Sequence, residues 1–242
     1  MDEGPDPRVE LAQRQHEDYV AALREAGIEI EVLAPEASLP DACFVEDAAV
    51  ILSHDVAVLS RTGAPSRRDE VATLEPVLAR RLTLHRLEAP ATLDGGDVLR
   101  LGDRFLVGRS SRTNDAGIEQ LRRFGEPLGL GVEAVDVAAG LHLKSACTAL
   151  DDRTVVVDPD ALDPAVLEAL GLVVHRVPEP VGANVLALGD RVLVSADAEG
   201  TATQLEASGR VVVRVPLSEI HRGDGALSCL SLRLPPPGGW SV

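Results

Sequence analysis

The chain is poor in the residues that most often announce a large partner. Of its 242 residues only five are aromatic, three Phe, one Tyr and one Trp, so it has no platform on which successive bases stack. Basic side chains are outnumbered, 23 Lys and Arg against 39 Asp and Glu, and the formal net charge is −16. Phosphate binding needs a basic surface, so nucleic acid is not an expected partner. No apolar run approaches the roughly 18 residues of a membrane-spanning helix. The opening MDEGPDPRVE has neither the basic flank nor the apolar stretch of a secretory signal. The expectation is a cytosolic protein that engages no membrane. The three cysteines, Cys43, Cys147 and Cys229, are odd in number, far apart and include no C-x-x-C pair, which points away from a disulfide framework or a zinc knuckle.

What the sequence does contain is a repeat. LSHDVAVL, LGDRFLVG, LDDRTVVV and LGDRVLVS begin at Leu52, Leu101, Leu150 and Leu188, at spacings of 49, 49 and 38 residues. Each copy has an apolar run, a short polar turn centred on Asp and a β-branched run, the pattern of a hairpin. Between copies lie helix-like segments. Residues 67–82 place Val71, Leu74, Val77, Leu78 and Leu82 on one face; 114–128 begins with Asn114 as a cap; a third starts at Asp163-Pro164 and stops at Gly171. Short apolar strands follow at 83–87 and 131–135. One strand–strand–helix–strand module does not cover its own apolar surface, so several must share a core, and closing them into a ring removes the end faces. A single α/β domain over residues 1–242 is expected, with a Pro/Gly-rich tail at 235–242. The last copy is incomplete. ALSCLSLRLP (226–235) reads as a strand carrying Cys229, and the prolines from Pro235 bar a return strand. An edge left open in this way favours self-association into a homo-oligomer.

Polar residues that fit poorly with an apolar hairpin cluster just ahead of each copy: Asp41, Glu46 and Asp47, then Asp94 and Asp97, then His142 and Lys144, with Cys229 in the last. In a ring, equivalent positions converge on the axis and form one concave site. Singly, each has an ordinary reading. Cys229 among Leu227, Leu230 and Leu232 is a small packing residue, His142 a satisfied imidazole, and Arg67 and Arg112 solvated charges. Glu46-Asp47 in an apolar strand is harder to set aside, because buried carboxylates need a cation. Together, a thiol, an imidazole and carboxylates supply a thiol mechanism and a socket for a cationic amidine or guanidine, whose charge would lower the thiol pKa.

At LPDACFVEDAAV (39–50), RTGAPSRRDEV (61–71), ATLDGGDVL (91–99), VGRSSRTN (107–114), GLHLKS (140–145) and DGALSCLS (224–231) the chain resembles the dimethylarginine dimethylaminohydrolase family of the guanidino-group modifying superfamily. The resemblance covers about residues 8–234. It implies the pentein fold, a five-bladed α/β propeller, and a methylated arginine as small-molecule substrate, with no cofactor and no metal. It also implies roles: Cys229 the nucleophile, His142 the acid and base, Asp94 the carboxylate beside it. Asp47 and Glu46 would hold the guanidinium, Asp41 and Asp224 would lie near the amino-acid end, and Arg67 and Arg112 would clamp the α-carboxylate. Two departures stand out. Arginine deiminases look similar but carry Asp two residues after the histidine, where this chain has Lys144. Family members also begin with a strand and a lid-like loop, whereas this chain opens directly on its first long helix. Two other functions therefore stay in play: a deiminase-like hydrolase of free arginine or another guanidine, and a non-catalytic pentein that binds a ligand or protein.

Overall fold

Four of the five sectors of the ring carry a sheet, and each sheet is built as the repeat requires. In the computed structural model, which describes residues 8–235, β1 (Ala49–Ile51) and β2 (Val56–Leu59) form an antiparallel hairpin, and β3 (Thr83–Arg86) returns parallel to β2. The second sheet is β4 (Val98–Leu101), β5 (Arg104–Arg109) and β6 (Gly131–Asp136); the third is β7 (Cys147–Ala149), β8 (Thr154–Val157) and β9 (Val173–Arg176); the fourth is β10 (Leu186–Leu188), β11 (Arg191–Ser195) and β12 (Val211–Val215). All four share this order and sense. The third strand runs parallel because a helical crossover, α6 (Glu199–Ala207) in the fourth sector, carries the chain back to the starting end. Two hairpin corners hold Gly102 and Gly189 at φ +61° and +64°, a left-handed backbone that side chains other than glycine adopt reluctantly.

The local signals for the crossovers act as read. Asn114 accepts the Gly117 amide at 2.8 Å and opens α3 (Asp115–Gly125); Asp163 accepts that of Ala165 at 2.9 Å and opens α5 (Pro164–Ala169). The first crossover is shorter than the periodicity of 67–82 suggests, since a 3₁₀ turn at Pro65–Arg67 precedes α2 (Glu70–Leu78). Val71, Leu74, Leu78 and Leu82 are buried and Val77 half-buried, so the apolar face is the one anticipated.

The apolar core lies between neighbouring sectors rather than inside any one of them. Leu93, Phe105 and Leu121 of the second sector pack on Val50 and Val58 of the first; Val155, Leu162 and Leu167 of the third pack on Leu99 and Leu106; Val192 and Val194 of the fourth pack on Val156. The fifth sector is made from both ends of the chain. Tyr19, Val20 and Leu23 of α1 (Val9–Glu25) join Leu227 and Leu230 against Leu186 and Leu193, and Leu33 and Leu232 pack on the first sheet. The ring therefore closes.

The open fifth strand is not formed as expected. Cys229 lies in a 3₁₀ turn, Ser228–Leu230, and residues 231–235 pair with no strand among the described residues. Leu227 and Leu230, three apart, are both buried, which a turn allows and an alternating strand does not. This turn matches the one that opens every other sector: Val45–Ala48, Gly95–Asp97, α4 (Leu143–Ala146) and Pro180–Ala183. Glu46 and Asp47 likewise sit in a turn, not a strand. Of the expected tail only Pro235 belongs to the described residues. No helix among these is long and apolar enough to cross a membrane.

Candidate active site

The five opening turns form a collar at one end of the propeller. The turn holding Cys229 packs on that of Glu46 and Asp47, which packs on Gly95–Asp97, which packs on α4, which packs on Pro180–Ala183. Side chains stitch the collar across its axis. Lys144 Nζ donates to Glu46 Oε1 at 2.6 Å and to the Gly95 carbonyl at 3.1 Å. Ser228 Oγ donates to Glu46 Oε2 at 2.8 Å, while the Asn184 amide donates to Ser228 Oγ and to the Lys144 carbonyl. Glu46 is therefore paired with Lys144, as Asp47 is with Arg67 at 2.6 Å. Beyond this pair lies a cavity of about 110 Å³, which reaches the hairpin corners at Gly102, Asp151 and Asp152. His142, Asp94 and Cys229 do not line it, whereas Glu46 and Lys144 do.

His142 caps α4 with extended backbone and stands almost fully buried. Its Nε2 lies 3.0 Å from Asp94 Oδ2 and 3.9 Å from Asp47 Oδ1. Asp94, entirely buried, accepts the Gly63 amide at 2.8 Å through its other oxygen. Burial works against a charged imidazole here, but the hydrogen bond to Asp94 and the charges of Asp47, Asp97 and Asp94 outweigh it, and the His142 pKa is raised. Gly95-Gly96 does more than turn the chain. A Cβ on Gly96 would sit 2.9 Å from the His142 ring and 2.7 Å from Asp47 Oδ1, and one on Gly95 would strike the Glu46 carbonyl. The backbone of this turn is the seat on which imidazole and carboxylate rest.

Cys229 is partly accessible, yet its thiol is pushed up to about 12, by burial first and then by the negative charges of Glu46 and Asp47. The free site thus holds a protonated thiol. Neutral thiols are poor nucleophiles, and an added positive charge beside Asp47 would shift the balance towards thiolate.

Residues expected at the amino-acid end fall into two groups. Arg67 is buried and its guanidinium is committed: Nη1 to Asp47 at 2.6 Å, Nε and Nη2 to Glu70 at 2.9 and 2.8 Å. It presents no free fork to a carboxylate; it braces Asp47 instead. Arg112 is half-buried and forms no ion pair with a described residue. Asp41 is half-exposed with Oδ2 3.9 Å from Arg67 Nε, and Asp224 is exposed.

Three supporting residues carried no role in the sequence reading. Asp97, fully buried, accepts the Leu143 amide at 2.8 Å and the Ser110 hydroxyl at 2.6 Å, and so fixes the backbone next to His142. Asn184 and Ser228 complete the axial network. Asp97 was among the polar residues gathered at the sector starts; Asn184 closes its turn in the same way, so aligning the repeats on their turns rather than on their leucines would have brought it out too.

This geometry has close counterparts. A family model described as "N,N dimethylarginine dimethylhydrolase, eukaryotic" matches residues 3–170. The N(G),N(G)-dimethylarginine dimethylaminohydrolase of Streptomyces coelicolor is 44% identical over 93% of this chain and 86% of its own length. Among solved structures, a dimethylarginine dimethylaminohydrolase His-to-Gly variant, determined as its adduct with S-methyl-L-thiocitrulline, superposes with a TM-score of 0.90 at 31% identity, covering 96% of this chain and 92% of that one. The Cys-to-Ser variant of the Pseudomonas aeruginosa enzyme, complexed with citrulline, gives 0.88 at 31% identity, with 94% and 89% covered. A match over most of the sequence and a propeller of the same build place this protein: the chain belongs to the dimethylarginine dimethylaminohydrolase family.

Proposed function

We propose that this chain hydrolyses N-methylated or asymmetrically dimethylated arginine to citrulline, releasing methylamine or dimethylamine. The observation that carries the reading is a charge imbalance. Five carboxylates, Glu46, Asp47, Glu70, Asp94 and Asp97, are buried around the collar against two permanent cations, Arg67 and Lys144. Burial also raises the pKa of Asp97, against the opposing pull of His142 and of its hydrogen bonds. A guanidinium bound by Asp47 beside His142 restores the balance and at the same time favours ionisation of Cys229.

The chemistry follows from these positions. Cys229 thiolate attacks the guanidinium carbon, forming a C–S bond and pushing the π electrons onto nitrogen. His142, kept protonated by Asp94, donates to the methylated nitrogen, and the C–N bond breaks with its electron pair leaving on the amine. The S-alkylthiouronium is then attacked by water, whose proton returns to His142, and collapse expels Cys229 and leaves the ureido group of citrulline. Lys144 bears on specificity. By cancelling Glu46 it leaves one free carboxylate fewer facing the guanidinium, so nitrogen methyls enter without stranding a buried charge.

Citrulline release from dimethylarginine, monomethylarginine and arginine, measured side by side, tests the reading. Higher kcat/KM for the two methylated substrates is the expected result. A preference for plain arginine would assign the chain a deiminase-like activity instead, and no release from any of the three would leave a binding protein.

A further inference from the structure

The loop that brings the chain from α7 (Ser218–Arg222) into the Cys229 turn is held in a strained form by side chains outside the catalytic set. The Ile220 carbonyl accepts the amides of both Gly223 and Gly225 at 3.0 Å. Between them Asp224 stands at φ +57°, the single non-glycine residue among those described with left-handed backbone. Its carboxylate is exposed and makes no hydrogen bond to a described residue, so its position is set by the backbone alone.

Two side chains grip that backbone. His221 Nδ1 lies 3.0 Å from the Gly225 carbonyl, which only accepts, so Nδ1 carries the hydrogen. In the neutral ring Nε2 is then the acceptor, and it takes the hydroxyl of Ser195 at 2.9 Å. Ser195 ends β11, is buried, and its oxygen accepts the Asp197 amide at 3.2 Å. The imidazole thus ties the loop to the fourth sheet. On the other side is Phe44. A Cβ on Gly225 would fall 2.2 Å from Phe44 Cε1, so the ring rests directly on the glycine. Phe44 belongs to the loop that carries Asp41, and its carbonyl, like that of Asp41, accepts from Arg67 at 3.4 Å. The loops bearing Asp41 and Asp224 therefore meet face to face, one tied by Arg67 and the other by His221.

We infer that His221 is a positioning residue for the amino-acid end of the substrate: through Gly225 it holds Asp224 opposite Asp41, with Phe44 as the wall between the two loops. The inference rests on the proposed function, in that the two carboxylates face the α-amino group of an arginine derivative. Two loops pinned against one ring, each carrying a carboxylate, suit one ammonium. Loss of the latch should accordingly weaken binding and leave the chemistry of Cys229 and His142 intact.

The test compares three substitutions. His221→Leu removes both hydrogen bonds, His221→Asn keeps an amide N–H where Nδ1 stood, and His221→Gln reaches only the position of Nε2. For His221→Leu the KM for dimethylarginine should rise about tenfold with kcat changed less than about threefold. Alkylation of Cys229 by iodoacetamide should keep its rate. Amide exchange across residues 223–227 should accelerate. His221→Asn should restore both KM and exchange, and His221→Gln should not; this pair makes the same comparison if the Leu variant fails to fold. An unchanged KM in His221→Leu or His221→Gln overturns the inference, as does a fall in kcat at constant KM, or an Asn variant no better than Gln. Should the wild-type chain release no citrulline at all, the functional reading fails separately. The affinity of Cys229→Ser for L-arginine by calorimetry, with and without His221→Leu, then decides the latch: weaker binding supports it and equal binding overturns it.

Discussion

The two halves of the site are built by different means. His142, Asp94 and Asp97 stand on the second and third sectors, where each opening turn runs straight into a hydrogen-bonded ladder, β4 to β5 and β7 to β8. Cys229 stands on the fifth sector, which has no ladder among the described residues. Its turn is held by side chains instead: Ser228 to Asn184 and Glu46, Tyr19 to Ser231 at 2.7 Å, and α1 to α7 through Gln15–Ser218 and Arg8–Glu219. The comparison teaches that the turn of His142 is continued by a backbone ladder and reinforced by Asp94 and Asp97, whereas the turn of Cys229 rests on side-chain contacts. A ladder distributes its restraint over many bonds, so single substitutions there are damped. A network concentrates restraint in a few buried groups, each of which is costly to leave unpaired.

The largest effect should come from removing the groups that react. Cys229→Ser should abolish citrulline release, and His142→Asn should lower kcat by roughly 10²–10⁴-fold, the usual worth of a positioned acid–base group, both with unchanged far-UV spectra. Cys43→Ala and Cys147→Ala serve as controls and should retain activity, since neither thiol forms a hydrogen bond with a collar side chain. Near wild-type release from Cys229→Ser would dissolve the distinction between the two halves.

Next in size is the axial pair. Lys144→Met leaves Glu46 buried without its cation, a change worth about 3–5 kcal/mol of stability. Denaturant titration should show this loss, and the double variant Glu46→Gln/Lys144→Met should recover most of it. A single variant as stable as wild type would mean that the network does not anchor the thiol side.

A smaller change sharpens the imidazole side. Asp97→Asn keeps an oxygen for the Leu143 amide but removes one of the charges that raise the His142 pKa. The sign is fixed: with less negative charge nearby, protonated His142 is less favoured, so its pKa falls. The acid step needs the protonated ring, and the alkaline limb of the rate profile should move to lower pH. A profile that stays in place while kcat drops would make Asp97 purely structural.

The smallest pair tests the comparison most directly. Tyr19→Phe removes one hydrogen bond of the fifth sector, and Asn114→Ala removes the cap of α3; each should cost about 1 kcal/mol. The thermal shifts should be alike, but only Tyr19→Phe should alter the alkylation rate of Cys229, because Ser231 follows that turn directly.

Much of this was legible in the linear sequence. Four hairpins, the caps at Asn114 and Asp163 and the buried face of the first crossover all follow from contacts within a few residues, where spacing and propensity act. So does the gathering of polar residues at the sector starts. What only the tertiary structure decided are the pairings around the axis. Glu46 meets Lys144 across 98 positions and Ser228 across 182, so the cation that a buried carboxylate needs comes from a distant part of the chain. Arg67 reads as a free fork but is spent on Asp47 and Glu70 once the first collar turn folds over it. Cys229 reads as part of a strand because its neighbours are apolar. It becomes a turn because ring closure offers Leu227 and Leu230 a shared pocket against α1 and β10, and burial there outweighs the local β preference.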